Sequence, residues 1–169
     1  MEKVIKVKLD PRSIADAIKK IEEYKADLEK RVRFLLETMV GRGEIIAKAK
    51  VVEYKIIHDN DLTKSIRGFV QGNVGYLHVD DEHAVFFELG TGPVGASDPH
   101  PLHPSYSADG WFTRADDKPM DKLYGWTPLE SGNGYVYYHT YGQKSKPFMY
   151  ETALKLREEF PAIVKEVFG

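Results

Sequence analysis

The sequence predicts an α+β fold: N-terminal helices and a C-terminal helix pack on a small antiparallel sheet. Apolar residues recur every three or four positions near both ends of the chain, as amphipathic helices require. In the middle, short stretches alternate between apolar and polar residues, as half-buried strands do. Residues 90–142 hold eight of the fourteen glycines and six of the nine prolines. A long irregular or β-rich insertion is therefore expected at about 93–142.

Composition limits the classes of protein to consider. With 169 residues the chain is expected to form one domain, residues 1–169. A formal net charge of −2 gives no electrostatic basis for gripping DNA or an anionic membrane. The absence of cysteine excludes disulfides and thiolate chemistry. No apolar run reaches the roughly 18 residues that span a bilayer, so a soluble intracellular protein is predicted.

The N-terminal part predicts a short strand and two helices. Residues 3–9 alternate, which favours a strand. Asp10 followed by Pro11 is typical of a helix start, with Asp10 as the N-cap. An unbroken helix over residues 11–54 would be long for this domain. We therefore expect one helix ending near Tyr24 and a second capped by Asp27. Gly41 and Gly43 lie inside the second helix and indicate a kink or a close contact with another backbone.

Several strands and a last helix follow. A turn is predicted at residues 58–61, then two strands, Ser65–Gln71 and Val74–Val79, joined at Gly72-Asn73. Gly68 and Gly75 indicate bulges. Within the insertion, Gly110–Arg114, Tyr124–Thr127 and Gly134–Tyr141 are candidate strands. The segment Lys146-Pro147-Phe148-Met149 begins the last helix, which Pro161 is expected to kink.

The run from His83 to Gly92 contains the most informative acid, Glu88, between Phe87 and Leu89. As a strand carrying a buried carboxylate it could place a general base in an active site. Alternatively, Glu88 is a structural anchor that accepts hydrogen bonds from the turn at Gly90-Thr91-Gly92 or pairs with Lys146. No second carboxylate lies at a defined spacing, so the anchor is the favoured interpretation, with no catalytic residue assigned.

Histidines in the insertion raise the alternative of a metal-dependent hydrolase. His100, His103 and His139 supply ligand types that zinc or iron uses, and Glu88 could join them. However, Pro99, Pro101 and Pro104 forbid a helix that would align His100 with His103. The chain contains no His-Glu-x-x-His motif, and Gly90-Thr91-Gly92-Pro93 lacks the Gly-Lys-Ser/Thr sequence of a phosphate loop. Neither a metal nor another cofactor is therefore expected.

Aromatic residues in the insertion have the composition of an interaction surface. Tyrosine and tryptophan offer large contact areas at low entropic cost. The insertion could therefore serve a subunit interface or a stand-alone protein-binding module. The candidate interface residues are Trp111, Phe112, Trp126, Tyr135, Tyr137 and Tyr138.

The order of these blocks resembles one family. Leu62-Thr63-Lys64-Ser65-Ile66, Ala84-Val85-Phe86-Phe87-Glu88-Leu89-Gly90-Thr91-Gly92 and Lys146-Pro147-Phe148-Met149 follow the N-terminal helices. The chain resembles the tail-completion, or neck, proteins of tailed bacteriophages, the gene-product-ten family of the HK-type lambdoid phage. The likeness covers nearly the whole chain. His83 stands where that family usually has tyrosine and Leu89 where it has phenylalanine.

The resemblance implies a non-enzymatic virion assembly protein, found in the virion and in the host cytoplasm during assembly. Such proteins form rings of six or twelve subunits at the head-to-tail junction and contact connector or head-closure proteins and tail-tube or tail-terminator proteins. DNA only passes through the pore, and no membrane is involved. The resemblance also implies that Glu88, Gly90, Thr91, Gly92, Pro147 and Phe148 are structural, joining the sheet to the last helix. The insertion and the long second helix are the expected subunit contacts.

Overall fold

The computed structural model describes residues 5, 8–56, 62–102, 109–114, 127–130 and 135–169, and its α+β architecture confirms the predicted fold class. The turn at 58–61 and most of the predicted strand at 3–9 lie outside these residues. The elements are α1 (Pro11–Glu53), α2 (Leu62–Ser65), β1 (Ile66–Gln71), β2 (Val74–Val79), α3 (Ala84–Leu89), α4 (Gly92–Ala96), β3 (Trp111–Arg114), β4 (Thr127–Glu130), β5 (Val136–Thr140) and α5 (Phe148–Phe168).

One helix of 43 residues, α1, replaces the two predicted N-terminal helices. The expected break near Tyr24 and the cap at Asp27 are wrong. The segment contains no proline or glycine, and ion pairs cross it: Lys25 pairs with Glu29 at 3.9 Å and Asp27 with Arg31 at 3.0 Å. Such i,i+4 pairs favour continuation of the helix. At about 1.5 Å per residue, α1 is about 65 Å long.

Both ends of α1 have recognisable caps. The N-cap prediction is confirmed, because Asp10 Oδ1 accepts a hydrogen bond from Ser13 N at 2.9 Å and Pro11 follows it. At the C-terminus, Lys55 N donates to Val52 O at 3.0 Å and Ile56 N to Val51 O at 3.1 Å. These two bonds form a Schellman motif, with Lys55 in the left-handed region at φ 49°.

The predicted hairpin of β1 and β2 is confirmed, with Gly72-Asn73 at its turn. The expected bulges are wrong, since the pairing runs without interruption from Ile66↔Val79 to Gln71↔Val74. Gly68 and Gly75 have a different purpose. A Cβ on Gly68 would overlap Val40 Cγ1, and one on Gly75 would lie 2.7 Å from Val40 Cγ2. The two glycines therefore let α1 lie directly on the hairpin.

The last helix, α5, packs antiparallel along the C-terminal part of α1. Arg42 of α1 pairs with Glu159 at 3.6 Å and with Glu166 at 2.7 Å. Gly43 faces Leu156, whose Cδ1 lies 3.0 Å from a Cβ built there, so this glycine marks a close contact. Pro161 lies inside α5, which continues to Phe168. The main core lies where α1, the hairpin, α3 and α5 meet and contains Ala47, Val51, Leu62, Ile66, Ala84, Phe87 and Phe148.

The insertion contains a second antiparallel sheet with strand order β3-β5-β4. The strands predicted at Gly110–Arg114 and Gly134–Tyr141 are confirmed as β3 and β5. Residues 124–126 of the strand expected at Tyr124–Thr127 lie outside the described part, and within the described residues β4 comprises Thr127–Glu130. None of the helices in the described part is apolar over a length sufficient to cross a bilayer.

Candidate functional site

The run from His83 to Gly92 is a helix followed by a turn, so the possible strand is wrong. Ala84 and Phe87 are buried three residues apart, whereas Val85 and Phe86 between them are about half exposed. This burial pattern follows a helical period and not the alternation of a strand. Gly90 ends α3 with φ 73°, a conformation that side chains disfavour.

The turn after α3 is hydrogen-bonded to the segment before α5. Thr91 N donates to Gln143 O at 2.8 Å, and Gln143 N donates to Thr91 O at 3.1 Å. Lys146 N donates to Phe87 O at 2.8 Å, and this bond satisfies a carbonyl at the C-terminal end of α3. We call residues 86–92 together with residues 141–150 the clasp. It brings both ends of the insertion together.

Glycines at the clasp are required by space and by conformation. Gly92 has φ 60° and Gly142 has φ 92°, both in the left-handed region. A Cβ on Gly142 would overlap Thr91 O, and one on Gly90 would lie 2.6 Å from Ser145 N. The two segments can therefore approach at backbone distance only with glycine at these positions.

Glu88 is the centre of the clasp and caps the last helix through residues that follow it by 61 and 62 positions along the chain. Its Oε2 accepts from Met149 N at 2.9 Å and its Oε1 from Tyr150 N at 2.8 Å. These N–H groups belong to the first turn of α5, where backbone donors have no partner within the helix. The negative charge of the carboxylate also interacts favourably with the positive N-terminal end of the helix dipole. The predicted donors were the Gly90–Gly92 turn and Lys146, so the anchor role has different partners.

Lys146 and Ser145 support the clasp differently from the expected ion pair. Burial lowers the pKa of the Lys146 ammonium, whose Nζ lies 5.9 Å from the centre of the Phe87 ring. Ser145 Oγ donates to Glu88 O at 2.6 Å, so the backbone of Glu88 is fixed as well as its carboxylate. Pro147 occupies the N-cap position of α5, and Phe148 is fully buried behind it.

His100 lies against Glu88, and the alternative of a metal-dependent hydrolase had grouped these two residues only as candidate metal ligands. Its ring is buried, its Nδ1 accepts from Leu102 N at 3.1 Å, and its Nε2 lies 3.4 Å from Glu88 Oε1. Since Nδ1 is an acceptor, the neutral ring carries its proton on Nε2, facing the carboxylate. The ring also meets Tyr150 edge-on at 5.3 Å. The direct contact between the two side chains has no local signal in the sequence, because the residues are 12 positions apart and His100 lies between two prolines.

The histidines of the metal hypothesis have separate environments. His139 lies on β5 between the rings of Phe112, at 4.8 Å, and Tyr141, at 4.5 Å. His103 lies outside the described residues. Within the described ranges, no three histidine, aspartate or glutamate side chains converge as a metal site would require. Asp98 lies 3.6 Å from Lys144, in an exposed pair.

The predicted interface residues divide into exposed and buried ones. Phe112 is 61% exposed, and Trp111 and Tyr135 are also exposed. Tyr137 is partly exposed, whereas Tyr138 is buried within the subunit. Adjacent side chains of β5 point to opposite faces of the sheet, so Tyr137 and Tyr138 cannot serve the same surface. Trp126 lies outside the described residues.

The chemistry of the clasp is that of a structural joint. Both oxygens of its carboxylate accept hydrogen bonds from the backbone, so Glu88 is held in place as a helix cap. Searches of protein-family models, of curated proteins and of solved structures found no match to this chain.

Proposed function

We propose that this protein is a structural subunit of the head-to-tail junction of a bacteriophage, prophage or phage-like element. The observation that carries the proposal is the capping of α5 by Glu88. The phage resemblance rests on a Glu-hydrophobic-Gly-Thr block and a Pro-Phe block, expected to join the body to the last helix. In this chain the two blocks are in direct contact through that carboxylate.

A closed ring needs two different complementary patches on each subunit. The sheet patch, formed by Phe112 and Tyr135 on one face of the second sheet, is one candidate; Trp111, adjacent to Phe112 on β3, points to the opposite face. The outer face of the hairpin is a second, where Phe69 and Tyr76 are exposed and stack with ring centroids 5.1 Å apart. These aromatic surfaces lie on separate sheets and are therefore two different patches, as a heterologous contact needs.

The charge of the chain suits a pore that DNA passes through. A formal net charge of −2 gives little general attraction for phosphates. A protein that gripped the duplex would instead release many counterions and bind in a strongly salt-dependent way. We therefore propose that DNA contacts the assembled ring only in transit.

Deletion of the gene from the phage or prophage that carries it tests the proposal. Electron microscopy of induced lysates should then find filled heads and tails that are not joined, and complementation should restore complete particles. The purified wild-type particles should contain the protein by immunoblotting. Complete, infectious particles formed without the protein would contradict the proposed function.

A pair of matched variants tests the sheet patch. Phe112→Ser should leave the melting temperature nearly unchanged but reduce the yield of joined particles, because the side chain is largely exposed on β3. Val52→Ser is the control, since Val52 is 69% exposed on α1, away from the sheet patch. Equal loss of joined particles in both variants, or in neither, would exclude the sheet patch as a specific contact.

A further inference from the structure

The N-terminal part of α1 extends beyond the helix that covers the rest of it. Lys50 of α1 pairs with Glu151 near the start of α5 at 2.8 Å, and Arg31 Nη1 donates to Val167 O near its end at 3.3 Å. Since α5 ends at Phe168, residues 11–30 lie past this contact. We call these 20 residues the arm. At about 1.5 Å per residue the arm is roughly 30 Å long.

An apolar seam runs along the arm and into the next turn. Its five aliphatic members are between 38% and 56% exposed, a large fraction for branched aliphatic side chains. Including Lys25, the seam advances by steps of four and three residues, the heptad spacing of the a and d positions of a coiled coil. The seam consists of Ile14, Ile18, Ile21, Lys25, Leu28 and Val32.

The two kinds of seam position can be assigned from these steps. Ile18, Lys25 and Val32 occupy a positions, and Ile14, Ile21 and Leu28 occupy d positions. Lys19 and Glu23 lie off the seam and pair with each other at 4.0 Å in solvent. A second helix is thus the shape that fits the seam, because a and d side chains insert into holes on a facing helix.

Lys25 selects the direction of that second helix. In a parallel pair of identical arms, a positions face a positions, so Lys25 would meet Lys25 of the second copy. In an antiparallel pair centred near residue 23, each a position faces a d position. Ile18 then faces Leu28, and Lys25 faces Ile21 with Glu22 beside it. The positive charge of Lys25 therefore meets the negative charge of Glu22 of the second copy, and the two-fold symmetry repeats this contact. The parallel pair has no such contact.

We propose that the arm binds the arm of a second copy of this chain as an antiparallel, two-fold symmetric coiled coil. The contact uses the same patch on both copies and therefore cannot close a ring. It is a contact additional to the ring of the proposed function and does not rest on it. The isolated protein is then a dimer whose arms overlap from about Ile14 to Val32.

Cysteine cross-linking tests the direction of pairing, since the natural chain has no cysteine. An equimolar mixture of Ile18→Cys and Leu28→Cys proteins should form a mixed disulfide under mild oxidation. Ile18→Cys alone should not form one, because residues 18 of the two copies are about 15 Å apart along the antiparallel pair. Efficient cross-linking of Ile18→Cys alone would demonstrate a parallel pair and overturn the proposal.

A charge exchange tests the Lys25–Glu22 contact. Lys25→Glu should weaken dimerisation roughly tenfold, as measured by analytical ultracentrifugation, because like charges then meet at two places. The double variant Lys25→Glu/Glu22→Lys should restore it, with circular dichroism confirming equal helix content. A wild-type protein that stays monomeric across the micromolar range, or a double variant as weak as the single one, would refute the arm pairing. Ring formation and particle assembly use other contacts. A failure of the arm to dimerise would therefore not contradict the proposed function, which those two measurements test separately.

Discussion

At the residue scale, Glu88 illustrates how one carboxylate can have a structural role in surroundings that suggest catalysis. It follows two phenylalanines, and a carboxylate in such apolar surroundings could act as a general base. Its oxygens instead accept bonds from Met149 N and Tyr150 N, with His100 Nε2 at 3.4 Å. The negative charge therefore lies at the positive end of α5, where it stabilises the folded state.

Glu88→Gln should lower the free energy of unfolding by about 1–2 kcal/mol. The amide removes the charge and replaces one acceptor oxygen with a donor, so one N–H group of α5 loses its partner. Denaturant titration measures the change. Glu82→Gln is the control, because it removes the same charge at an exposed position before α3 and should have little effect. An equal loss of stability in both variants would mean that the change in net charge, and not the loss of the helix cap, is responsible.

Lys55 affects stability through its backbone conformation, which lies in the left-handed region. A lysine at φ 49° has a steric cost that glycine avoids. Lys55→Gly should therefore raise the free energy of unfolding by about 0.5–1 kcal/mol, with the Schellman motif of α1 retained. Lys55→Ala keeps the strained conformation and should not stabilise the protein. Thermal or denaturant unfolding measures the stability of both variants. Equal changes in stability for Lys55→Gly and Lys55→Ala would refute backbone strain at Lys55.

At the element scale, the contact between α1 and the hairpin depends on the absence of side chains. Val40 of α1 occupies the space that Cβ atoms of Gly68 and Gly75 would fill. Glu44 Oε2 also accepts from Gly68 N at 2.9 Å, which fixes β1 to the helix. Bonds from Lys48 and then Gly68 hold the pKa of Glu44 below its usual value. The close contacts with Val40 and the bond to Glu44 therefore hold β1 against this part of α1.

Two glycine-to-alanine substitutions should have opposite effects on stability. Gly68→Ala should lower the free energy of unfolding by about 1–3 kcal/mol, because the new methyl group would overlap Val40. Gly41→Ala should raise it by about 0.5–1 kcal/mol, since nothing lies within 4 Å of a Cβ there and alanine favours the helix. Denaturant unfolding measures both. A neutral Gly68→Ala would mean that α1 does not lie against the hairpin at that point.

At the scale of the whole molecule, the end of α1 is tied to the start of α5 by a small polar network. Glu151 accepts from Tyr54 Oη at 2.6 Å and pairs with Lys50 at 2.8 Å. Burial by itself raises the pKa of Glu151, but the bonds from Lys50 and Tyr54 outweigh it and bring the pKa below its usual 4.5. The folded state therefore favours the ionised carboxylate.

The stabilisation from Glu151 should depend on pH in a defined direction. Because the folded pKa lies below 4.5, the stabilisation is complete above about pH 4.5 and decreases as the pH falls through the folded pKa. The stability difference between the wild type and Glu151→Gln should thus be largest near neutral pH and become smaller at acidic pH. Chemical denaturation at several pH values measures it. Glu158→Gln, in an exposed pair with Lys155, is the control, and a pH dependence equal to that of Glu151→Gln would contradict the assignment.

Sequence periodicity predicted the elements that depend on local signals. The N-cap at Asp10, the β1–β2 hairpin and the helix after Pro147 follow from residues within a few positions of one another. The break predicted in α1 from the expected size of the domain is wrong, because local i,i+4 pairs such as Lys25–Glu29 favour a continuous helix. The helix at Ala84–Leu89 was missed because a short apolar run has no reliable period.

By itself the sequence determined the α+β class, the N-cap at Asp10 and the β1–β2 hairpin, because each depends on spacing along the chain. Only the tertiary structure decided the partners of Glu88, the contact of His100 with it and the burial of Tyr138. These contacts join residues that the insertion separates in sequence. No local pattern encodes which groups meet once the clasp has brought the two ends of the insertion together.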